Sequence, residues 1–402
     1  MAIKKAFIIA GLGYGDEGKG LTTDYLCLQQ PNAIVIRYNG GHQAGHTVVT
    51  SDGLQHVFSS FGSGTLRQVP SYLSKYCVFS PAYFLEEYRR LPIKPHLFLD
   101  KMCPVTTHYD VLYNRAIEKQ RGVFKYGSCG VGFGATVDRH TVPYLKLYLH
   151  ELFQPSELKK KLRRIRLFYK EKIKNETDFN FDQFEHDAED LKFKEYIEQI
   201  SQLISSKIIE IVTEKDIFCN QIWNTYIFEG AQGILLDKQF GNKPYVTKSH
   251  TTSKNAIEIL KRHFANKTID KEIYYVTRAY LTRHGEGPFE QFKSILELKN
   301  NADETNTYNP YQGNFKTSYL DIDLLNYSLD CDLKFTTGIK KHLIVTCMDQ
   351  LTTNGIYVVQ NGELTLVPHE QLSLFLNCEF ETCSYSFSNC SEDLINSTTR
   401  KW

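Results

Sequence analysis

The stretch Gly13-Tyr14-Gly15-Asp16-Glu17-Gly18-Lys19-Gly20 decides the fold class of this chain. It follows the apolar run Ala6-Phe7-Ile8-Ile9-Ala10, which predicts a buried strand, and it matches most of the G-x-x-x-x-G-K pattern of a phosphate-binding loop. Glycines let backbone N–H groups surround phosphate oxygens, and a lysine adds a positive charge. Gly20 stands where an ordinary P-loop has the hydroxyl that binds Mg²⁺, so Asp16 is the candidate metal ligand. On the evidence of this loop alone, the alternative interpretation is a glycine-rich strand-to-helix turn of some other α/β protein.

The composition is that of a globular protein without a charge bias. The chain has 402 residues, of which 42% are hydrophobic and 23% charged, and its net charge is +1. We therefore expect no binding to nucleic acid or to an anionic membrane. No run approaches the roughly 20 apolar residues of a membrane span. The ten cysteines are scattered without a C-x-x-C pair, which predicts reduced thiols and a cytoplasmic protein.

Short apolar runs rich in branched residues recur along the chain, and each ends at a polar or glycine-rich loop. After residues 6–10 they are found at 33–38, 226–228, 273–276 and 343–346. This alternation predicts an α/β fold with a large central, mostly parallel sheet, surrounding helices, and functional loops at the carboxyl ends of the strands. Asn361-Gly362, between two further runs, predicts a β-hairpin.

Residues 151–215 have a different pattern. Pro155 marks a predicted helix start, and residues 191–211 have the spacing of a second amphipathic helix. The segment is interpreted as a helical excursion from the core. It either caps the functional site or forms a peripheral pair of helices without ligand contact.

A second glycine-rich loop, Asn39-Gly40-Gly41-His42-Gln43-Ala44-Gly45-His46-Thr47, follows the second predicted strand. A lone histidine is more often structural than catalytic. Two histidines in a glycine loop at the carboxyl end of a strand indicate a functional loop.

Five segments, in order along the chain, resemble the adenylosuccinate synthetase family, whose members join aspartate to IMP with GTP. They are residues 15–20 (G-D-E-G-K-G), 40–47 (G-G-H-Q-A-G-H-T), 228–237 (F-E-G-A-Q-G-I-L-L-D), 244–249 (P-Y-V-T-K-S) and 279–289 (A-Y-L-T-R-H-G-E-G-P-F). Gln43 replaces an asparagine of the family pattern. The resemblance implies a single domain over residues 1–402 and a carbon–nitrogen ligase of purine biosynthesis.

Other segments resemble the phage-type branch of the family, which makes 2-aminoadenylosuccinate from dGMP. They are residues 56–58, 61–65, 282–285 and 309–313. That branch usually has a small or hydroxylated residue in place of the loop aspartate, so Asp16 agrees instead with the enzymes that use IMP. The chain is interpreted as a divergent member, and both acceptors, IMP and dGMP, stay open.

The resemblance implies roles for named residues. Asp16 would be the base that removes the N1 proton and, with the Gly45 carbonyl, a ligand of the Mg²⁺ cofactor, while His46 would donate toward the phosphoryl group in transfer. The nucleoside triphosphate contacts would be Gly15, Glu17, Gly18, Lys19, Gly20, Gly45, Thr47 and Asp349. The purine nucleotide contacts would be Gln43, Ser128, Cys129, Arg139, Gln232 and Thr247, with Arg139 standing for an arginine that this family reaches across a homodimer interface.

Two parts of the family pattern are thin. The arginine-rich aspartate-binding loop, T-T-G-R-R-R-R-T-G-W-L-D, corresponds to residues 310–321, where only Lys316 is cationic, so Arg283 and Lys316 are the candidates for binding L-aspartate. Asp349 matches the aspartate that reads guanine, but Cys347 replaces a lysine and the S-x-G-P-x-R wall is absent from residues 386–402. The donor could therefore be GTP, ATP or dATP. A non-catalytic nucleotide sensor on the same scaffold is the alternative from another class.

Overall fold

A ten-stranded sheet forms the centre of the protein in the computed structural model, which describes residues 3–220, 222–265, 268–290, 296–299, 313 and 315–398. Within these ranges the strands are β1 (Lys4–Gly11), β2 (Ala33–Arg37), β3 (His46–Val49), β4 (Gln55–Phe58), β5 (Ser71–Leu73), β6 (Leu97–Asp100), β7 (Ile209–Val212), β8 (Thr225–Gly233), β9 (Ile269–Arg278), β10 (Leu281–Arg283), β11 (Lys316–Ser318), β12 (Leu320–Asp321), β13 (Lys340–Thr346), β14 (Gly355–Gln360), β15 (Glu363–Pro368), β16 (Thr382–Ser386) and β17 (Leu394–Thr398). The α-helices are α1 (Lys19–Gln29), α2 (Pro81–Arg90), α3 (His108–Arg121), α4 (Phe133–Arg139), α5 (Pro155–Glu176), α6 (His186–Ser205), α7 (Glu214–Cys219), α8 (Lys254–Phe264) and α9 (Ile322–Thr336).

The large sheet has the strand order β17-β16-β13-β9-β1-β8-β2-β5-β6-β7. Every neighbouring pair is parallel except β16–β17. The apolar run of β1 is continuous because a parallel strand is buried on both faces of the sheet. Its alternate residues enter two separate core clusters, Ala6, Ile8 and Ala10 on one side and Phe7 and Ile9 on the other. The predicted α/β class, the parallel sheet and the five predicted strands are confirmed.

The hairpin predicted around Asn361-Gly362 is also confirmed. Strands β14 and β15 are antiparallel, and Gln360 pairs with Glu363 at the closed end. Asn361 has φ 49° and Gly362 has φ 79°. Positive φ at both central positions is what a type I′ turn requires, and asparagine and glycine accept it best.

Helices α5 and α6 lie at the periphery and join the core cluster that contains Leu97 and Leu99 of β6. The buried residues of α5 are Leu158, Leu162, Ile165, Tyr169 and Ile173, and those of α6 include Phe193, Ile197 and Ile200. The predicted helix over residues 191–211 is too long, because α6 ends at Ser205 and β7 then pairs with β6 at the sheet edge. Neither these two nor any other helix in the described ranges is long and apolar enough to cross a membrane.

Candidate active site

A cleft of about 1210 Å³ opens at the carboxyl ends of the central parallel strands. Loops that follow β1, β2, β8, β9 and β13 supply most of its walls. The predicted site residues that line it are Gly15, Asp16, Glu17, Gly18, Lys19, Gly20, Gln43, Gly45, His46, Thr47, Ser128, Cys129, Gln232, Thr247, Arg283 and Asp349. Arg139 and Lys316 are not among the described residues that line the cleft. Residues 151–215, all of which the structure describes, also contribute nothing to it, which favours the peripheral interpretation of that segment over the cap.

The phosphate loop is closed by its own glutamate. The Glu17 carboxylate accepts the N–H groups of Gly13 at 3.0 Å and Gly15 at 2.7 Å, and it pairs with the ammonium of Lys19. Glu17 is buried, and its carboxylate occupies glycine N–H groups and a lysine ammonium of the kind that were predicted to bind phosphate. An ionised carboxylate is an acceptor only, so it does not bind phosphate oxygens directly. The Glu17 carboxylate therefore shapes the loop, and the predicted contact between Glu17 and the nucleoside triphosphate stays a prediction.

Gly20 has a packing reason to lack the hydroxyl of an ordinary P-loop. A Cβ atom at this position would lie 2.8 Å from the carbonyl oxygen of Thr47 and 3.1 Å from the Cβ of His46. The start of α1 thus packs directly against the second glycine loop. This close approach fixes the distance between the phosphate loop and His46, and it leaves no room for a serine or threonine.

Asp16 lies in the wall of the cleft with 23% of its side chain exposed. Its backbone is left-handed, with φ 63°, and its carbonyl accepts a hydrogen bond from Nε of Arg278. Its Oδ2 is 3.6 Å from Nε2 of His284. Burial raises the pKa of Asp16, and the positive charges of His284 and Arg278 oppose that shift.

Asp16 and Gly45 both line the cleft, and the Asp16 carboxylate and the Gly45 carbonyl are the predicted ligands of a metal ion. The described residues contain no cluster of three or more His, Cys, Asp or Glu side chains suited to a metal. Mg²⁺ differs from zinc in this respect, because it is usually held by one or two carboxylates together with substrate phosphates and water. One partly exposed carboxylate beside a phosphate loop fits such an ion.

His46 is held by Glu229, a residue of β8 to which the sequence motifs had given no role. Nδ1 of His46 lies 2.5 Å from Oε1 of Glu229, and the backbone N–H and hydroxyl of Ser63 also donate to this carboxylate. Burial alone would raise the pKa of Glu229, but His46 and Arg37 outweigh it and lower the pKa to about 2. An ionised Glu229 accepts a hydrogen bond from Nδ1–H of His46 and thereby sets the ring orientation and tautomer. Nε2 of His46 is buried with no partner in the part of the chain that the structure describes.

Two glutamine amides line the cleft with unused polar atoms. Both side-chain polar atoms of Gln43, and Oε1 of Gln232, are buried and find no partner among the described residues. Buried amides without partners are costly, so they indicate a polar ligand. Across the cleft, Ser128 accepts a hydrogen bond from Asn114 at 2.8 Å. These positions agree with the predicted purine nucleotide site.

Arg139 is placed elsewhere, which corrects its prediction. Its guanidinium pairs with Asp110 at 2.8 Å, and neither side chain is exposed. It also donates to the carbonyl oxygens of Leu145 and Val105. Arg139 therefore ties α4 to the start of α3 inside the protein. A loose local match to the family had assigned it to the purine nucleotide across a homodimer interface.

Arg283 and Lys316 brace one loop. The Arg283 guanidinium donates to the backbone carbonyl oxygens of Glu286, Pro288 and Tyr245, and only 2% of the residue is exposed. The Lys316 ammonium lies 3.0 Å from the carbonyl of Gly285 and 3.2 Å from the carboxylate of Glu286. Their charges are already engaged, so the predicted aspartate contacts are supported by neither residue. Residues 310–312 and 314 of the corresponding loop, like 309, lie outside the described part of the chain.

The cleft wall includes the residue that was predicted to bind the base of the donor nucleotide. Asp349 lies there, and its Oδ2 accepts a hydrogen bond from the amide of Gln350 at 2.6 Å. Phe387, Ser388 and Asn389 also line the cleft. The C-terminal segment thus contributes to the cleft although its sequence differs from the family pattern.

Glu229, His284 and Arg278 are the functional candidates that sequence reasoning missed. A carboxylate in the apolar run of β8 needs a buried partner, and this signal could have identified Glu229. β8 pairs with β2, and the loop after β2 carries His46. Arg278 and His284 lie in the matched segment 279–289 or next to it, but their contacts with Asp16 depend on how β9 and β1 pair.

The mostly parallel sheet, with a phosphate loop and a glutamate–histidine pair at the carboxyl ends of its strands, defines an α/β protein with a P-loop-like site. The chain belongs to the adenylosuccinate synthetase family, because the family model described as adenylosuccinate synthetase matches residues 8–385. The adenylosuccinate synthetase of Vibrio vulnificus (strain YJ016) is 32% identical over 291 residues, and that of Vibrio cholerae serotype O1 (strain M66-2) is 32% identical over 294 residues. Each alignment covers 70% of this chain and 63% of the relative, so the chain spans less than two thirds of these relatives.

Two solved structures confirm the fold. The fully ligated adenylosuccinate synthetase from Plasmodium falciparum superposes with a TM-score of 0.72 at 19% identity, covering 98% of this chain and 100% of that one. The cyanophage S-2L succinoaminodeoxyadenylate synthetase, bound to dGMP and to dATP as an energy donor, superposes with a TM-score of 0.63 at 16% identity. That match covers 100% of this chain and 97% of the phage protein.

Proposed function

We propose that the protein is a ligase that joins L-aspartate to a 6-oxopurine nucleotide such as IMP, giving adenylosuccinate, at the expense of GTP. One observation supports this reading most strongly. Asp16, the phosphate-loop lysine and the Glu229-supported His46 all face one cleft. A base, a phosphate site and a charge-stabilising imidazole are what activation of a purine oxygen requires.

The first step would be transfer of the γ-phosphoryl group to O6 of the purine. Asp16 would remove the N1 proton, so that charge develops on O6, which attacks phosphorus while the nucleoside diphosphate leaves. His46 Nε2 would donate to the phosphoryl oxygens. Burial lowers the pKa of His46 although Glu229 acts in the opposite direction, and a bound phosphate dianion would raise that pKa. Bound Mg²⁺ would neutralise charge on the triphosphate.

The second step would be attack of the aspartate amine on C6. The C6–O6 bond would break, and O6 would leave with inorganic phosphate. Gln43 and Gln232 would hold the purine nucleotide through amide atoms that are unpartnered among the described residues. The family also leads us to propose that the protein is cytoplasmic and that it is a homodimer. Light scattering would test the oligomeric state.

A dGMP-specific version of the same reaction is the second candidate. It would yield 2-aminoadenylosuccinate, with ATP, dATP or GTP as the donor. The likeness of the fold to the cyanophage protein, and the segments at residues 56–58, 61–65 and 282–285, support it. The amino-acid partner is the least supported component, since Arg283 and Lys316 are engaged with their own loop.

The test combines Mg²⁺, L-aspartate and each pairing of IMP, GMP or dGMP with GTP, ATP or dATP, and measures the succinyl adduct by mass spectrometry. We expect an adduct with IMP. An adduct with dGMP alone would select the second candidate. Binding of nucleotide with no adduct and no phosphate release in any pairing would overturn the ligase and favour a nucleotide sensor.

A further inference from the structure

Two residues that the predicted roles leave out meet beside Asp16. Nε2 of His284 lies 3.6 Å from Oδ2 of Asp16. The imidazole packs on Phe315, with 4.9 Å between ring centroids. Phe315 stands where the family's aspartate-binding loop has an arginine, so the divergent segment places an aromatic ring under the histidine that faces the candidate base.

Asp16 is thereby contacted from two directions. Arg278 donates to its carbonyl and fixes the left-handed backbone, while His284 approaches the carboxylate. The Arg278 guanidinium also lies 5.5 Å from the Phe315 ring centroid, so one aromatic ring contacts both the Arg278 and the His284 side chains. A carboxylate that must reach the N1 proton of a purine has to be held within about 0.5 Å of its working position.

The bonds of the surrounding loop do not require His284. Arg283 and Lys316 make the contacts to the backbone of residues 285–288. Nδ1 of His284 is buried and has no partner within the described ranges, while Nε2 faces the Asp16 carboxylate. The ring therefore serves the carboxylate more directly than it serves the fold of its own loop.

We propose that His284 is a positioning residue that holds the Asp16 carboxylate toward the acceptor purine, and that Phe315 holds the His284 ring in place. This proposal rests on the proposed function, in which Asp16 is the base. On this proposal the divergent loop contributes, through Phe315 and His284, to binding of the acceptor purine. The alternative is a loop that lost its aspartate-binding arginines and gained no such role.

A double-mutant cycle tests the proposal. Calorimetry measures the Kd of IMP and of dGMP, and initial rates give kcat and KM, for Asp16→Asn, His284→Ala and the double variant. We expect His284→Ala alone to weaken acceptor binding and lower kcat by about tenfold each, with the donor KM unchanged, and to have no further effect when Asp16 is already Asn. His284→Asn should restore part of the loss, because its amide can donate to the carboxylate. Phe315→Ala should reproduce a smaller form of it.

The matched control is His96→Ala, which removes a histidine paired with Glu210 at the far edge of the sheet and should leave all constants unchanged. Additive losses in the cycle would overturn the positioning role while leaving the ligase intact. Coupled losses in Kd without turnover by the unmodified protein would overturn the ligase and keep the positioning role. If the unmodified protein binds neither nucleotide, both fail.

Discussion

Replacing Glu229 with glutamine should disable His46 while leaving the cleft in place. Glu229 is fully buried and accepts from Nδ1 of His46 and from the N–H and hydroxyl of Ser63. Glutamine has the same size, but it offers one acceptor oxygen and turns an NH₂ group toward a donor. The imidazole then loses both the anion 2.5 Å from Nδ1 and its fixed tautomer. We expect kcat to fall about 100-fold, which corresponds to about 2.7 kcal/mol of transition-state stabilisation.

The expected loss is confined to kcat. Glu229 lies behind His46, so the KM values for both nucleotides should change less than about threefold, a loss typical of transition-state contacts only. Phosphate release and adduct formation give the rates, and thermal unfolding shows whether the variant folds. Ser63→Ala is the matched control, because it removes one hydroxyl donor and keeps the carboxylate. Combining Glu229→Gln with His46→Asn should cost no more than His46→Asn alone. Wild-type kcat in Glu229→Gln, or additive losses, would refute the reasoning.

Two further predictions concern packing and charge. In a urea titration, Gly20→Ser should destabilise the protein by about 1–3 kcal/mol, because the added Cβ meets the Thr47 carbonyl at 2.8 Å. The added hydroxyl should give no new metal affinity. Gly134→Ala is the control in the same titration, because its Cβ would make an ordinary contact of 3.5 Å. Asp110→Asn should cost about 3–5 kcal/mol at pH 7 by leaving Arg139 buried without its partner. Burial would raise the pKa of Asp110, but Arg139 outweighs it and holds the pKa below its usual value, so this stability is present above about pH 4 and is lost as pH falls through the lower, folded-state pKa. Wild-type stability of either variant in the urea titration would contradict the corresponding account.

The sequence was sufficient for the parts of the fold that depend on local pattern. Five apolar runs identify strands of the central sheet because parallel strands are buried on both faces, and Asn361-Gly362 identifies a type I′ turn. The end of α6 was missed, because residues 209–212 continue an apolar pattern and only their pairing with β6 makes them a strand.

The candidate site was predicted where consecutive residues form it. The two glycine loops needed only their own sequence, whereas Arg139 was misplaced because its partner Asp110 is distant in the chain and buried. Arg283 and Lys316 were assigned by their charge alone, and the backbone carbonyls that engage them are not visible in a sequence. Glu229 and His284 contact residues from other strands or loops, and these contacts can be predicted only when the sheet order is known.

The fate of the purine oxygen tests the central claim most directly. The protein is incubated with L-aspartate, Mg²⁺, a nucleoside triphosphate and a purine nucleotide carrying ¹⁸O at position 6, and the released phosphate is analysed by mass spectrometry. In the proposed mechanism O6 is phosphorylated before the amine displaces it, and we therefore predict that the inorganic phosphate carries the ¹⁸O label. Adduct formation with unlabelled phosphate, or phosphate release that leaves the label on the purine, would contradict a 6-phosphoryl intermediate.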